Sequence, residues 1–128
     1  MLTTHQIKAK NVALIEIAEE LEIDVNNAEA FRNAVLAELD RAVEATRAEN
    51  PSVDVVLDVG RIQFFDSAGL GALLALKKTI KGRDGELVLS GLGRPVEQMF
   101  TMVGFDVIFH TFAAPDEAVR HLSKSPAS

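Results

Sequence analysis

The chain has 128 residues, of which 48% are apolar and 25% are charged, and it contains no cysteine. This size suits one domain with a real core, and the lack of cysteine excludes disulfides, thiol nucleophiles and thiolate metal sites. The formal net charge of −6 and the absence of Trp and Tyr argue against nucleic-acid binding, which relies on Lys, Arg and stacking aromatic rings.

The first 26 residues predict two strands followed by an acidic connection. Residues 5–9 and 12–18 have the composition of short strands, and Lys10 and Asn11 between them predict a tight hairpin turn. Residues 19–26 are acidic and lack a regular pattern, so we expect an irregular segment there.

A long amphipathic helix is predicted from about residue 27 to residue 47. Asn26, with Glu29 three residues later, resembles a capping box at the start of this helix. Apolar residues recur every four positions, which is the spacing of one helical face. The predicted buried residues are Phe31, Val35, Leu39 and Val43, and the predicted solvated residues are Arg32, Glu38, Asp40, Arg41 and Glu44.

The second half of the chain alternates strands with helices. We predict a buried strand at residues 53–59, a loop at 60–65 and a helix at 67–80 with Gly82 as its C-cap. The remaining predicted elements are a strand at 86–90, a helix from Pro95 that ends at Gly104, a strand at 107–109 and a helix from Pro115 to Leu122.

The predicted order is β-β-α-β-α-β-α-β-α, which indicates an α/β fold. Strands that alternate with helices favour a mostly parallel sheet, made mixed here by the opening hairpin, with four or five strands and about four helices. We expect one domain over residues 1–122 and a flexible tail over 123–128. Without a signal peptide or an apolar run of about 18 residues, the chain is expected to be soluble, cytoplasmic and not inserted in a membrane.

The sequence DSAGLG at residues 66–71 is the strongest candidate site. It places an acid and a hydroxyl where an apolar strand turns into an apolar helix, at the end where free N–H groups and the helix dipole favour negative charge. Asp66 or Ser67 can cap this helix, and Ser67 can also accept a phosphate. Two glycines in the first turns each cost about 1 kcal/mol relative to alanine, which indicates a close approach to this backbone.

Two other kinds of chemistry fit the residues less well. A hydrolase nucleophile elbow needs glycine two residues before the serine, where this chain has Phe65, and the histidines are scattered along the chain. They also give no metal-site spacing, so no metal or cofactor is expected. Asp58 lies near the end of a predicted strand, as the phosphoacceptor aspartate of a response-regulator receiver does. The simpler interpretation is a polar residue that ends the strand.

The flanking elements together resemble the STAS domain family, which comprises the sulphate-transporter and anti-sigma-factor-antagonist domains. The resemblance extends over about residues 5–122. It rests on the strand VVLDV at 55–59, the pair Phe64-Phe65, the sequence DS-x-GLG at 66–71, the helix PVEQMF at 95–100 and the sequence VGF at 103–105. The family's Gly-Glu-Leu-Asp motif corresponds to residues 21–24, where Leu21 replaces the glycine and the acids Glu22 and Asp24 are kept.

The resemblance implies an anti-sigma factor antagonist that is not itself an enzyme. Such a protein would bind an anti-sigma factor that is also a serine kinase, freeing the sigma factor, and phosphorylation of Ser67 would end the binding until a phosphatase resets it. A monomer or weak dimer is expected. The alternative is an adaptor without a switch, in a lipid-transport ATPase complex or a stress-sensing scaffold. The implied partner-binding residues are Asp24, Asp66, Gly69, Leu70 and Gly71.

Overall fold

The computed structural model describes residues 1–8, 11–46 and 52–123. Within these ranges the chain forms seven strands and five helices. The strands are β1 (Thr3–Lys8), β2 (Val12–Ile17), β3 (Leu21–Ile23), β4 (Asp54–Asp58), β5 (Ile62–Phe65), β6 (Leu87–Ser90) and β7 (Thr111–Phe112). The helices are α1 (Ala28–Thr46), α2 (Ser67–Gly82), α3 (Arg94–Val103), α4 (Phe105–Ile108) and α5 (Pro115–Ser123).

The main sheet has the strand order β1-β2-β4-β6-β7. β1 and β2 are antiparallel, whereas the pairs β2–β4, β4–β6 and β6–β7 are parallel. The mixed, mostly parallel sheet predicted from the sequence is therefore confirmed. The predicted hairpin turn and most of the predicted tail, residues 124–128, lie outside the described residues.

The sheet is covered on both faces because successive strand residues point to opposite sides. In β2, Ala13 and Ile15 belong to the larger core cluster, together with Phe31 of α1 and Leu73 of α2. Leu14 belongs to a smaller cluster on the other face. That smaller cluster consists of Val12, Leu14, Val56 and Val88 of the sheet with Ala118 and Leu122 of α5.

A second, two-stranded sheet lies outside the main one and was not predicted. β3 and β5 are parallel, with Ile23 opposite Phe65, although we predicted an irregular segment at residues 19–26 and a loop at 60–65. Both predictions are wrong for these strands. Each strand has only three or four residues, and pairing with a segment about 40 residues away stabilises them rather than a local pattern. Because β3 leads to α1 and β5 leads to α2, this sheet sets where both helices begin.

Two smaller predictions are also wrong. Residues 105–108 form the helix α4 instead of a strand, because Phe105 and Phe109 pack on the Phe100 ring with centroids 5.5 and 6.2 Å away. The last parallel strand follows this helix and is β7, at Thr111–Phe112 instead of residues 107–109. Helix α2 includes Gly82, and its C-cap residue is Arg83. The predicted stop at Gly104 is confirmed, since this residue has the left-handed φ of 80°.

Glu38 was predicted on the solvated face of α1, but it is 5% exposed. Its carboxylate accepts hydrogen bonds from Thr3 Oγ1 at 2.6 Å and from Arg41 Nη2 at 3.0 Å, and it lies 2.5 Å from His5 Nδ1. The hydrogen bond with Arg41 is the largest cause that lowers the pKa of Glu38 to about 2, against the opposing effect of burial. Strand β1 therefore covers this side of α1 and satisfies a buried charge.

Candidate functional site

The site is the turn between β5 and α2, where Asp66 ends the strand and Ser67 begins the helix. The N–H of Asp66 donates to Ile23 O at 2.9 Å, which continues the pairing with β3 by one residue. Asp66 then adopts an extended conformation, with φ −85° and ψ −173°, as expected of an N-cap residue. Ser67 follows as an exposed residue of the first helical turn. The predicted capping role therefore belongs to Asp66, and the Ser67 hydroxyl remains at the surface.

The Asp66 carboxylate makes two hydrogen bonds in different directions. Oδ1 accepts from the backbone N–H of Gly69 at 2.9 Å, which caps α2. Oδ2 accepts from the backbone N–H of Val25 at 3.1 Å, which connects the helix start with the loop before α1. One side chain thus fixes both the orientation of the Ser67 turn and the position of the neighbouring loop.

The neighbouring loop, residues 24–27, is held by its own polar side chains. Asp24 Oδ1 accepts from the N–H of Asn26 at 2.8 Å, and Asn27 Oδ1 accepts from the N–H of Asp24 at 2.8 Å. Asn27 Nδ2 also donates to Glu22 O. These contacts, and not the predicted capping box of Asn26 and Glu29, order the start of α1. Asp24, the acid implied by the resemblance, lies in a loop directly bonded to Asp66.

The two glycines of the site differ in surroundings. A Cβ on Gly69 would lie 2.8 Å from Ile23 O and 3.1 Å from Phe65 Cδ1, so glycine is needed for close packing of α2 against β3. The close approach predicted at this backbone is thus made within the protein at Gly69. A Cβ on Gly71 would meet no atom within 4 Å, and Gly71 is exposed. Packing inside the protein therefore gives no reason for glycine at position 71.

The surface around Ser67 combines apolar side chains with a turn rich in polar groups. Val25 is 74% exposed and Phe64 is 43% exposed, and Leu70 is half-buried. Sequence reasoning did not select Val25, although an isolated valine among polar residues in the loop was the available signal. Of the predicted partner-binding residues, Asp24, Asp66, Leu70 and Gly71 reach the surface, while Gly69 is buried.

Other chemistry suggested by the sequence is engaged elsewhere. His5 contacts Glu38, and His110 and His121 lie together with ring centroids 5.3 Å apart. No hydrogen bond in the described part of the chain joins Ser67 to a histidine, so a hydrolytic triad finds no support. Asp58 accepts hydrogen bonds from Ser90 Oγ and from the N–H of Gly60, as a polar group that closes a strand end does.

Within the described ranges, no group of three or more His, Asp or Glu side chains is placed to hold a metal ion. No described helix has the length and apolar character that crossing a bilayer requires.

The sequence matches a family model and a named relative. The family model described as the STAS domain matches residues 7–118 of this chain. A relative from Bordetella bronchiseptica, BtrV, provisionally named an anti-sigma factor antagonist, is 38% identical over 77 residues. That match covers 60% of this chain and 66% of BtrV, just under two thirds of its length.

Solved structures share the fold at lower identity. A STAS domain protein from Planctomyces limnophilus superposes with a TM-score of 0.73 at 17% identity, covering 95% of this chain and 98% of the other. The anti-sigma factor antagonist SpoIIAA in its unphosphorylated form gives a TM-score of 0.66 at 19% identity, covering 95% and 96%. The phosphorylated form of SpoIIAA, from Bacillus, gives 0.57 at 18% identity, covering 94% and 98%.

Proposed function

The chain belongs to the STAS domain family, and from this premise we propose that it is an anti-sigma factor antagonist controlled by phosphorylation of Ser67. In this proposal the unphosphorylated protein binds an anti-sigma factor that is also a serine kinase, and a sigma factor is released. The kinase transfers the γ-phosphoryl group of ATP to Ser67 Oγ, the hydroxyl proton passes to a base of the kinase, and ADP leaves. A phosphatase hydrolyses the phosphoserine to restore the binding form.

The observation that carries the proposal is the exposure of Ser67 on a turn that other groups hold in place. Asp66 caps the helix and Gly69 packs against Ile23, so the Ser67 hydroxyl has no part in capping. A kinase can therefore reach it without unfolding the helix. Two comparisons agree with this: a relative is provisionally named an anti-sigma factor antagonist, and SpoIIAA has been solved in phosphorylated and unphosphorylated forms.

Electrostatics explain how a phosphate would stop binding without a change of fold. Phosphoserine adds a charge of about −1.5 to −2. In the free protein this charge lies at a helix N-terminus, where it is favoured, and in contact with water. In a complex, the same charge would be desolvated against a partner that covers the apolar surface of Val25, Phe64 and Leu70. An uncompensated buried charge costs several kcal/mol, enough to lower affinity by two or more decades.

The chain acts in this proposal as a substrate and a binding protein and not as an enzyme. We propose Asp24, Asp66, Leu70 and Gly71 as its partner-binding residues, without the buried Gly69, and we add Val25 because its side chain is exposed. The adaptor alternative uses the same fold but requires no phosphate on Ser67, so the state of Ser67 in cells separates the two functions.

The test compares three baits in extracts of the source organism: the wild type, Ser67→Ala, and protein with phosphoserine installed at position 67 during translation. We expect the wild type and Ser67→Ala to retain the same protein kinase, and phosphoserine 67 to bind it at least about a hundredfold more weakly. The retained protein, purified and given ATP, should add one phosphoryl group to the wild type and to Ser52→Ala, but none to Ser67→Ala.

Two results would contradict the proposal. One is equal binding of a partner by the unmodified and the phosphoserine baits. The other is the absence of phosphate on Ser67 in the native organism, both in growth and under stress, as measured by phosphopeptide mass spectrometry. An unmodified Ser67 would favour the adaptor function.

A further inference from the structure

A groove between α1 and α2 opens beside the Ser67 turn. It encloses about 250 Å³. Most of its lining consists of small side chains, and the charged residues in it are Glu29 and Arg32 of α1. The lining residues are Ala28, Glu29, Arg32, Ala68, Gly71, Ala72 and Ala75.

Arg32 is the one cation among these lining residues, and it has no partner in the described part of the chain. Among the described residues, the ion pairs involve other side chains, and no hydrogen bond reaches the Arg32 guanidinium. The residue is half-buried and lines the groove. The planar guanidinium of an arginine without a partner is well suited to bind an anion with parallel hydrogen bonds.

The topology places Ser67 and Arg32 near the same end of two adjacent helices. β3 and β5 are parallel, and α1 and α2 follow them, so both helices begin at the same end of the molecule. Ser67 and Gly71 are four residues apart on α2, which puts Ser67 one turn above the Gly71 position that lines the groove with Arg32. Helical side chains tilt toward the helix N-terminus, so Arg32 leans toward the end of α1 beside which α2 begins.

The glycine at position 71 keeps this path open. An added Cβ there would contact nothing within 4 Å, so α2 does not need glycine for its own packing. A larger side chain at this position would project into the groove that Arg32 also lines. The open groove, the unpartnered arginine and the exposed serine are thus three independent features of one small region.

We propose that Arg32 binds the phosphoryl group of phosphoserine 67 across the groove at Gly71. This inference rests on the proposed phosphorylation of Ser67 and names the residue that holds the phosphorylated form. The negative groups that face the phosphate are Asp66 on its own turn, Asp24 in the adjacent loop and Glu29 on α1. The positive charge of Arg32 offsets these negative charges. The phosphate therefore lies against α1 in the free protein, and the start of α2 is not disturbed.

The test installs phosphoserine at position 67 during translation, so that it does not depend on any kinase. The phosphate is titrated by ³¹P NMR in the otherwise wild-type protein and with Arg32→Gln, Arg32→Lys or Glu29→Gln. A neighbouring cation favours the dianion, so Arg32→Gln should raise the titration midpoint by roughly half a pH unit. Arg32→Lys should restore part of the difference, and Glu29→Gln should lower the midpoint because it removes a repelling charge.

Arg94→Gln removes an exposed arginine at the start of α3 and serves as the matched control. It should leave the midpoint unchanged, and the unphosphorylated Arg32→Gln protein should unfold at the wild-type urea concentration. A midpoint that Arg32→Gln does not move, or moves no further than Arg94→Gln, would overturn the inference. That result would leave the proposed function intact. The proposed function fails only if Ser67 is unmodified in cells or if its phosphate does not weaken binding to the partner.

Discussion

Asp66 and Val25 are 41 residues apart in the chain, yet Asp66 Oδ2 accepts a hydrogen bond from the Val25 N–H at 3.1 Å. The same carboxylate caps α2 through the N–H of Gly69. The apolar Val25 side chain is therefore held beside the Ser67 turn by the residue that also sets the start of the helix. A partner that contacts Val25 and Ser67 together meets a preformed surface, which lowers the entropic cost of binding.

Replacing Asp66 separates its two contacts. Asp66→Ala removes the cap and the loop contact, and should lower the free energy of unfolding by about 1–2 kcal/mol in urea titrations. Asp66→Asn keeps an acceptor for Gly69, since asparagine is an equally good N-cap, but its amide group cannot also accept from Val25. We expect a smaller loss of stability with faster hydrogen exchange at the Val25 amide. Equal exchange at Val25 in Asp66→Asn and the wild type would show that this contact does not order the loop.

Alanine should have opposite effects at the two glycines of the site. In Gly69→Ala the new Cβ would lie 2.8 Å from Ile23 O, so the helix or β3 has to move, and we expect a loss of about 1–3 kcal/mol. In Gly71→Ala the Cβ meets nothing within 4 Å, and the better helix propensity should add up to about 1 kcal/mol. Urea unfolding of both variants checks the two signs. Destabilisation by Gly71→Ala would mean that position 71 has a structural role absent from this geometry.

Elements with a long local pattern could be predicted from the sequence. The four-residue spacing from Phe31 to Leu39 defined α1, and the apolar run in 53–59 defined β4. The turn that carries the candidate site also followed from local signals, because an acid and a serine between a strand and a helix predict a capped helix start.

The missed features depend on contacts between distant parts of the chain. Strands β3 and β5 are too short to show a pattern and exist through their mutual pairing. The β-branched residues before Phe109 favour a strand, but aromatic packing on Phe100 makes them the helix α4. Glu38 has a polar side chain within a helical pattern, and only the approach of β1 reveals that it is buried.

The buried carboxylate of Glu38 should make stability depend on acid pH. Its pKa is lowered from 4.5 to about 2, mainly by the hydrogen bond from Arg41 and less by those from Thr3 and His5. A group whose pKa is lower in the folded protein stabilises it above the unfolded value, and this contribution is lost as the pH falls from 4.5 through about 2. Glu38→Gln should therefore be less stable than the wild type at pH 7, on the order of 1–2 kcal/mol, with the difference shrinking in that acid range.

Urea unfolding at a series of pH values measures this difference. Glu44→Gln, an exposed position on the same helix, is the matched control and should follow the wild-type curve. A difference between Glu38→Gln and the wild type that stays constant from pH 7 to pH 2 would show that the carboxylate charge contributes nothing to stability.

The exposed valines test which surface the partner covers. Val25 beside the Ser67 turn is 74% exposed, and Val107 on α4 is 87% exposed. Both can become serine with little effect on folding, because neither side chain is buried. If the partner covers the Ser67 turn, Val25→Ser removes apolar contact area and should weaken binding of the captured kinase about tenfold or more, whereas Val107→Ser should bind as the wild type does. Titration calorimetry with the purified partner gives both affinities, and a loss confined to Val107→Ser would move the interface to α4 and away from the Ser67 turn.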